Sequence, residues 1–388
     1  MSVWTDADLA FVRDRARHWD LHYSEHFWGG PLYDLVEPLL GSFNTDFGVP
    51  KQIGTPSESL PETTATVLLA LHRMGLLSAS MRQRVQTYLW STHYALAVGI
   101  GDDAKYPEAE CWSSVSRNVW ATAASLWALI ATGYRGGHEA RYASAVRWLV
   151  DAQDENGAWG FSRDARNPPS VFLTAVCAYT LRMTAALLDE ATHGIDKAAV
   201  QSAVDTAVGY LKRTRRRRSG LWHTEAGEPE PTSSAMALWA VRRCGSTDDG
   251  ELVRTGVRSL SKAVGNGRCA ASLEIAAGTL PDSREAIALQ GYTPAIPLAL
   301  LQIDVDPFHR LVLGPLQYLR TSRQPDGWEF PVVGNARQGR YVKAVPYVGT
   351  GEALTFTTAL ALQTAHAWHR RVIRWTIEQR LTRTGGPQ

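Results

Sequence analysis

The stretch Ala140-Arg-Tyr-Ala-Ser-Ala-Val-Arg-Trp-Leu-Val-Asp-Ala-Gln-Asp-Glu-Asn-Gly-Ala-Trp-Gly-Phe161 reads as a helix that stops at Asn156-Gly157 and turns through Trp159. Glycine takes the left-handed conformation that ends a helix at low cost, and Pro168-Pro169 close behind hold off the next helix until a second apolar segment begins. The unit is one helix, one Gly-Trp turn and one helix back. Gly220-Leu-Trp222 and Gly327-Trp328 repeat the turn, each after an amphipathic segment and before an Ala-rich one. The Ala-rich segments resemble one another: Thr63-Thr-Ala-Thr-Val-Leu-Leu-Ala-Leu71, Thr122-Ala-Ala-Ser-Leu-Trp-Ala-Leu129, Thr174-Ala-Val-Cys-Ala-Tyr-Thr-Leu181, Ser234-Ala-Met-Ala-Leu-Trp-Ala-Val241 and Thr358-Ala-Leu-Ala-Leu362.

A repeat of this length decides the architecture before any single element does. Outer and inner helices are expected in pairs: 31–41 with 62–75, 80–94 with 114–132, 139–153 with 170–187, and 196–213 with 232–244. After 249–264 the pattern degrades, so that either 268–278 or 286–303 serves as the fifth inner helix; the sixth pair is 307–322 and 351–369. Inner segments are apolar nearly all round, as helices buried on both sides must be, whereas outer ones keep a polar face. Six hairpins closing on themselves make an all-α (α/α)6 toroid, because an open array would expose its apolar end repeats. One domain is expected over residues 1–388, with an N-terminal helix at 5–22 and a tail helix at 370–382.

Composition fits this. An apolar fraction of 45% with 20% charged residues supports a large core, and a net charge of +2 gives no general attraction to nucleic acid. Cys111, Cys177, Cys244 and Cys269 are far apart with no CxxC pair, so neither a disulfide framework nor a zinc ribbon is indicated. The N-terminus carries acids where a signal peptide needs a basic and then an apolar run, and no apolar stretch reaches the roughly 18 residues of a membrane span. A cytoplasmic protein with at most peripheral membrane contact is expected. The 14 tryptophans, several at Gly-Trp turns, suit structural mortar between repeats, since an indole joins a large apolar face to one hydrogen-bond donor.

Gln153-Asp-Glu-Asn-Gly-Ala-Trp159 fits Gln-x3-Gly-x-Trp and resembles the QW repeat of squalene–hopene cyclases and other class II terpene cyclases, whose architecture protein prenyltransferase β subunits share. Gln324-Pro-Asp-Gly-Trp328 is one residue short of the motif, and Arg216 stands where its Gln belongs before Trp222. The resemblance implies catalytic groups at the N-terminal ends of the inner helices, facing a central cavity. Class II cyclases place Asp-x-Asp-Asp there, directly before Thr-Ala, with the third position protonating an alkene. This chain has no Asp-x-Asp-Asp. Aligned on Thr64-Ala65, Glu62 falls at the third position; before Ser234-Ala235, Glu230 falls at the first. Each has a structural alternative, because Glu in a first turn favours the helix dipole and Ser59-Leu-Pro-Glu62 has the form of a capping box.

Prenyltransferases instead bind zinc through Asp-x-Cys and a distant His. Glu108-Ala-Glu-Cys-Trp-Ser has its acids one and three residues before Cys111 rather than two, and the His motif lacks a clear counterpart beyond His223 and His366, so no metal and no cofactor are expected. Lys212-Arg-Thr-Arg-Arg-Arg-Arg218 places six positive charges in seven residues, either a solvated helix end or a rim site for a diphosphate through groups such as Arg216. His223-Thr-Glu225 and Asp102-Asp103 are loop acids and bases that either line the cavity or stay in solvent. The leading expectation is a terpene-cyclase-like protein that takes an isoprenoid or other hydrophobic small molecule among Trp120, Trp127, Trp222, His223 and Trp328, with Glu62 and Glu230 as candidate acids. Its alternatives are a non-catalytic toroid binding a peptide or lipid, and a carbohydrate-active (α/α)6 enzyme with paired carboxylates.

Overall fold

The computed structural model describes residues 2–22, 30–50, 53–54, 57–95, 110–112, 119–133, 137–160, 169–188, 194–223, 230–264, 294–321, 323–324, 327–328, 332–333, 344–345 and 355–384. The expected segment 268–278, the acids Asp102, Asp103, Glu108 and Glu225, and Pro168 lie outside them. The helices, in chain order, are α1 (Asp6–His22), α2 (Leu32–Gly41), α3 (Pro61–Arg73), α4 (Ala79–Ser91), α5 (Val119–Ala131), α6 (Glu139–Asp151), α7 (Val171–Leu187), α8 (Lys197–Thr214), α9 (Pro231–Cys244), α10 (Gly250–Val264), α11 (Ala295–Gln302), α12 (Arg310–Thr321) and α13 (Thr355–Thr384). Strands among the described residues are confined to two-stranded loop hairpins such as β1 (His93–Ala95) with β2 (Glu110–Trp112) and β3 (Arg323–Gln324) with β4 (Gly327–Trp328).

Six helices form an inner ring that closes. α3 packs on α5, α5 on α7, α7 on α9, α9 on α11, α11 on α13, and α13 returns to α3. Their side chains are the chain's core: Ala65, Leu68, Ala121, Leu126, Ala175, Leu181, Ala237, Leu238, Ile296, Leu300, Ala359 and Leu362 have no exposed surface. The outer ring is α2, α4, α6, α8, α10 and α12. The expected double ring is therefore the fold, with two adjustments to its parts.

Each inner helix packs against the outer helix that follows it (α3 on α4, α5 on α6, α7 on α8, α9 on α10, α11 on α12), and α13 against α2. The compact hairpin thus runs from inner to outer helix, whereas the links from outer to inner are longer in sequence. The Gly-Trp turn joins successive hairpins rather than closing one. Second, α13 is one unbroken helix where a break near residue 370 was expected. The change there from apolar to charged sequence, His369-Arg-Arg-Val, marks where the helix leaves the ring; without Gly or Pro nothing stops it.

The Thr/Ser-Ala repeat has a hydrogen-bonding cause. Thr122, Thr174 and Ser234 each accept the backbone N–H of a turn tryptophan, Trp112, Trp159 and Trp222 respectively, at 3.1, 3.1 and 3.2 Å. Thr64 accepts from Val49 in the same way at 2.9 Å. The indole N–H groups of Trp112, Trp159 and Trp222 donate to the last-turn carbonyls of the outer helix just ended, at Leu89, Leu149 and Leu211. One tryptophan so caps an outer helix with its ring and is clipped to the next inner helix through its backbone. Gly157 is required by both conformation and space, since its φ is +89° and a Cβ would stand 2.6 Å from the Thr206 carbonyl oxygen of α8.

Candidate functional site

The register set by the Thr/Ser clip identifies what faces the ring axis. Counting back two residues from the clip gives Glu62, Trp120, Phe172, Thr232 and Phe356, each the second residue of its inner helix. Trp120 meets Phe172 at 5.6 Å and Phe356 at 5.8 Å between ring centroids. α5 and α13 are not ring neighbours, because α3 stands between them, so the Trp120–Phe356 contact passes across the inside of the ring in front of α3. Adding four, seven and eleven residues follows one helical face. On α3 that stripe is Glu62, Thr66, Leu69 and Arg73; on α5 it is Trp120, Ala124, Trp127 and Ala131; on α7 and α9 it includes Val176, Tyr179, Met236 and Trp239.

The second layer repeats the crossing. Trp127 stacks on Trp239 of the non-adjacent α9 at 5.8 Å and 26°, and Tyr179 of α7 completes the group at 5.1 Å from Trp127 and 4.4 Å from Trp239. The Arg73 guanidinium carbon lies 5.1 Å from the Trp127 ring centroid. Aromatic layers therefore stand toward the two ends of an apolar axis, with Glu62 at the N-terminal end and Arg73 at the other. By helical rise these two groups are about 16 Å apart along α3.

Glu62 does not form the capping box expected as the structural alternative. The N-cap of α3 is Leu60, without a side-chain cap, which makes Glu62 the second helical residue rather than the third. The Ser59 hydroxyl instead donates to Asp46 and accepts from Asn44. Glu62 is half-buried, with Oε2 closed off from solvent. Its charge is felt at Tyr88, where burial first, then Asp46 and, to a lesser degree, Glu62 push the phenol upward.

Glu230 occupies a different position. Leu60, Ser170 and Glu230 are equivalent, each donating its backbone N–H to the turn carbonyl of Val49, Trp159 or Trp222. The Ser170 side chain accepts from Leu173 N–H, and Glu230 Oε2 accepts from Ser233 N–H at 3.2 Å. Glu230 thus does for α9 what Ser170 does for α7, and is the N-cap of its helix, 2% exposed.

Trp120 and Trp127 both stand on the axial stripe of α5; Trp222 is not on such a stripe. Its ring is buried and bonded to the Leu211 carbonyl in the wall between repeats. His223 bonds Ser219 at 2.6 Å in the same turn. Trp328 pairs with Arg323 through the backbone of the β3–β4 hairpin, and its side chain lies outside the described part. Arg216 is exposed, while neighbours in the basic run hold structure: Lys212 pairs with Asp249 at 2.6 Å, Arg213 donates to Asn156 O, and Arg215 to Gly220 O. Cys111 is fully buried in β2 beside the N-terminal end of α5. His366 is at the other end, where it hydrogen-bonds the Arg73 backbone, so these two do not assemble. Among the described residues no three His, Cys, Asp or Glu groups converge as for a metal, and no helix is long and apolar enough to cross a membrane.

Sequence reading missed Phe172, Phe356, Tyr179, Trp239 and Arg73. The signal was present in the spacing: each stands at minus two, plus five or plus nine from the Thr/Ser of its own repeat.

Comparison with known proteins gives structural neighbours only. No family model matches the chain, and no curated protein matches it. Among solved structures, the type II terpene cyclase MstE from Scytonema, in complex with geranylgeranyl dihydroxybenzoate, is 14% identical with a TM-score of 0.51, over 95% of this chain and all 100% of that one. The glycoside hydrolase family 76 mannosidase Bt3792 from Bacteroides thetaiotaomicron is 9% identical with a TM-score of 0.53, over 94% and 99%. The α-1,6-mannanase GH76A of Salegentibacter is 11% identical with a TM-score of 0.51, over 94% and 99%. The chain shares the all-helical (α/α) toroid with proteins of both kinds.

Proposed function

We propose that this chain is a terpene-cyclase-like protein that takes an isoprenoid along the ring axis and cyclises or isomerises it by acid catalysis from Glu62. The observation that carries this reading is the composition of the axial stripe. Its described positions are mostly aromatic or aliphatic, with Thr66, Thr232 and Gln363 as uncharged polar exceptions, and Glu62 is the one carboxylic acid among them. A glycosidase needs two carboxyl groups facing each other across the bond it cleaves. The other buried Glu at this end, Glu230, is engaged as a helix cap.

Protonation of an alkene needs a neutral carboxyl, the form that apolar surroundings favour. The proton would pass from the Glu62 carboxyl to a terminal alkene carbon, leaving a carbocation beside Trp120, Phe172 and Phe356, whose ring faces attract positive charge. Loss of a proton from the cyclised cation completes the reaction without net consumption of acid.

The test is incubation with geranylgeraniol, geranylgeranyl diphosphate and a geranylgeranylated hydroxybenzoate, with products identified by mass spectrometry and NMR. A cyclised product from wild type, lost about 10²–10⁴-fold in Glu62→Gln with binding retained, is expected. Full activity in Glu62→Gln would remove Glu62 from the chemistry. An inert wild type that still binds these compounds would make the protein a carrier, and release of mannose from an α-1,6-mannan would replace the reading altogether.

A further inference from the structure

We propose that Arg73, with the aromatic group Trp127, Tyr179 and Trp239, is an anion-binding subsite that seats the carboxylate or phosphate head group of an amphiphilic substrate whose apolar tail runs along the axis toward Glu62. This rests on the axial site described above and adds the class of molecule it takes.

Arg73 is the last residue of α3. A cation there has an ordinary explanation, since it complements the helix dipole and can snorkel to water. Arg243 shows what that looks like. It holds the equivalent position on α9, is exposed, and donates to the Gln302 carbonyl at the surface. Arg73 instead turns inward over Trp127 and is only half-buried, so part of the group is not covered by protein. No Asp or Glu among the described residues lies within ion-pair distance of it. Desolvation is the largest influence on its basicity and acts to lower it.

A half-buried guanidinium stacked on an aromatic ring, with no described carboxylate beside it, keeps donors free to pair with an arriving anion. Its planar fork suits a carboxylate or phosphate, and the adjoining aromatic faces suit the planar or unsaturated carbons next to such a head group. The separation of about 16 Å between Arg73 and Glu62 then sets a ruler: the head group at one end places a chosen alkene at the other.

The experiment is calorimetric titration of farnesoate, farnesol and palmitate into wild type, Arg73→Met and Arg73→Gln. Methionine replaces the charge by an apolar chain of similar length, and circular dichroism checks the fold of both variants. Wild type is expected to bind farnesoate at least tenfold more tightly than farnesol, and the folded variants to bind the two alike. If wild type binds palmitate in an Arg73-dependent way but neither farnesyl compound, the anion subsite stands and the isoprenoid reading falls. A carboxylate preference that survives in the variants, or that is lost instead on replacing Arg216, Arg217 and Arg218 by Ser, overturns the proposal. So does the absence of any carboxylate preference in wild type.

Discussion

Thr174→Val tests the clip on which the axial register depends. Thr174 and Trp159 are both fully buried. The Thr174 hydroxyl accepts from Trp159 N–H at 3.1 Å and donates to Ser170 O at 2.7 Å. Valine keeps the shape and leaves no cavity. Ser170 O retains a partner, because the Thr174 backbone N–H also donates to it at 2.9 Å. Trp159 N–H loses its acceptor in a site closed to water, and a buried donor left unsatisfied costs about 1–3 kcal/mol. Urea unfolding followed by tryptophan fluorescence should show that loss, and hydrogen exchange should show the Trp159 amide becoming faster than its neighbours. The control is Thr87→Val on the exposed face of α4, where the hydroxyl bonds only Gln83 O, with an expected change within about 0.5 kcal/mol. If Thr174→Val matches that control and the Trp159 amide stays slow, the clip does not hold the turn and the register loses its physical basis.

Gly157→Ala should destabilise by more than about 1 kcal/mol in the same assay, since both φ and the Thr206 carbonyl oppose a Cβ; a neutral result would mean the turn relaxes freely. Burial and a neighbouring positive charge lower His366 to about 4, and burial with His366 lowers His369 to about 3, from ordinary values of 6.5. Between pH 6.5 and about 4 the unfolded chain therefore binds more protons than the folded one, so stability should fall as pH falls through that window, by up to about 1.4 kcal/mol per pH unit for each histidine. His366→Gln/His369→Gln should flatten the profile, and an unchanged slope would contradict the burial of these rings. Truncation after Trp375 should leave the melting temperature within a few degrees, because Ile377 and Leu381 beyond it are 53% and 65% exposed; a large drop would reveal that the projecting part of α13 supports the ring.

The inner helices were legible because the requirement on them is chemical as well as hydrophobic: a hydroxyl to clip the turn, then Ala for close approach of neighbours. Where that signature is missing, reading failed in proportion. α11 has Leu298 in place of the hydroxyl, which left two segments competing for the fifth position. The turn at Trp112 carries Glu110-Cys111 instead of Gly, so it was not recognised although its indole and clip are those of Trp159. The pairing of helices was inverted because a Gly-Trp turn marks where one hairpin meets the next, and local sequence does not say which of two adjacent helices packs more closely. At the site, Glu62 was found through its distance from Thr64-Ala65. Arg73 was passed over because a basic residue in a last turn is ordinary, and only the stacking on Trp127 distinguishes it from Arg243.

The seam of the ring lies between α3 and α13, the first and last of the inner helices along the chain. On the ribosome each other inner contact joins helices that follow one another in the order of synthesis, whereas this one makes α3 wait until α13 has emerged. Until then α3 presents Leu68, Leu69 and Leu71 with no neighbour on one side, and α1, whose Trp19 indole bonds Met74 O beside the seam, has only half of its seat. A circular permutant opened in one of the long outer-to-inner links, with the native termini joined, would move that waiting edge to another pair of helices and leave the finished ring the same.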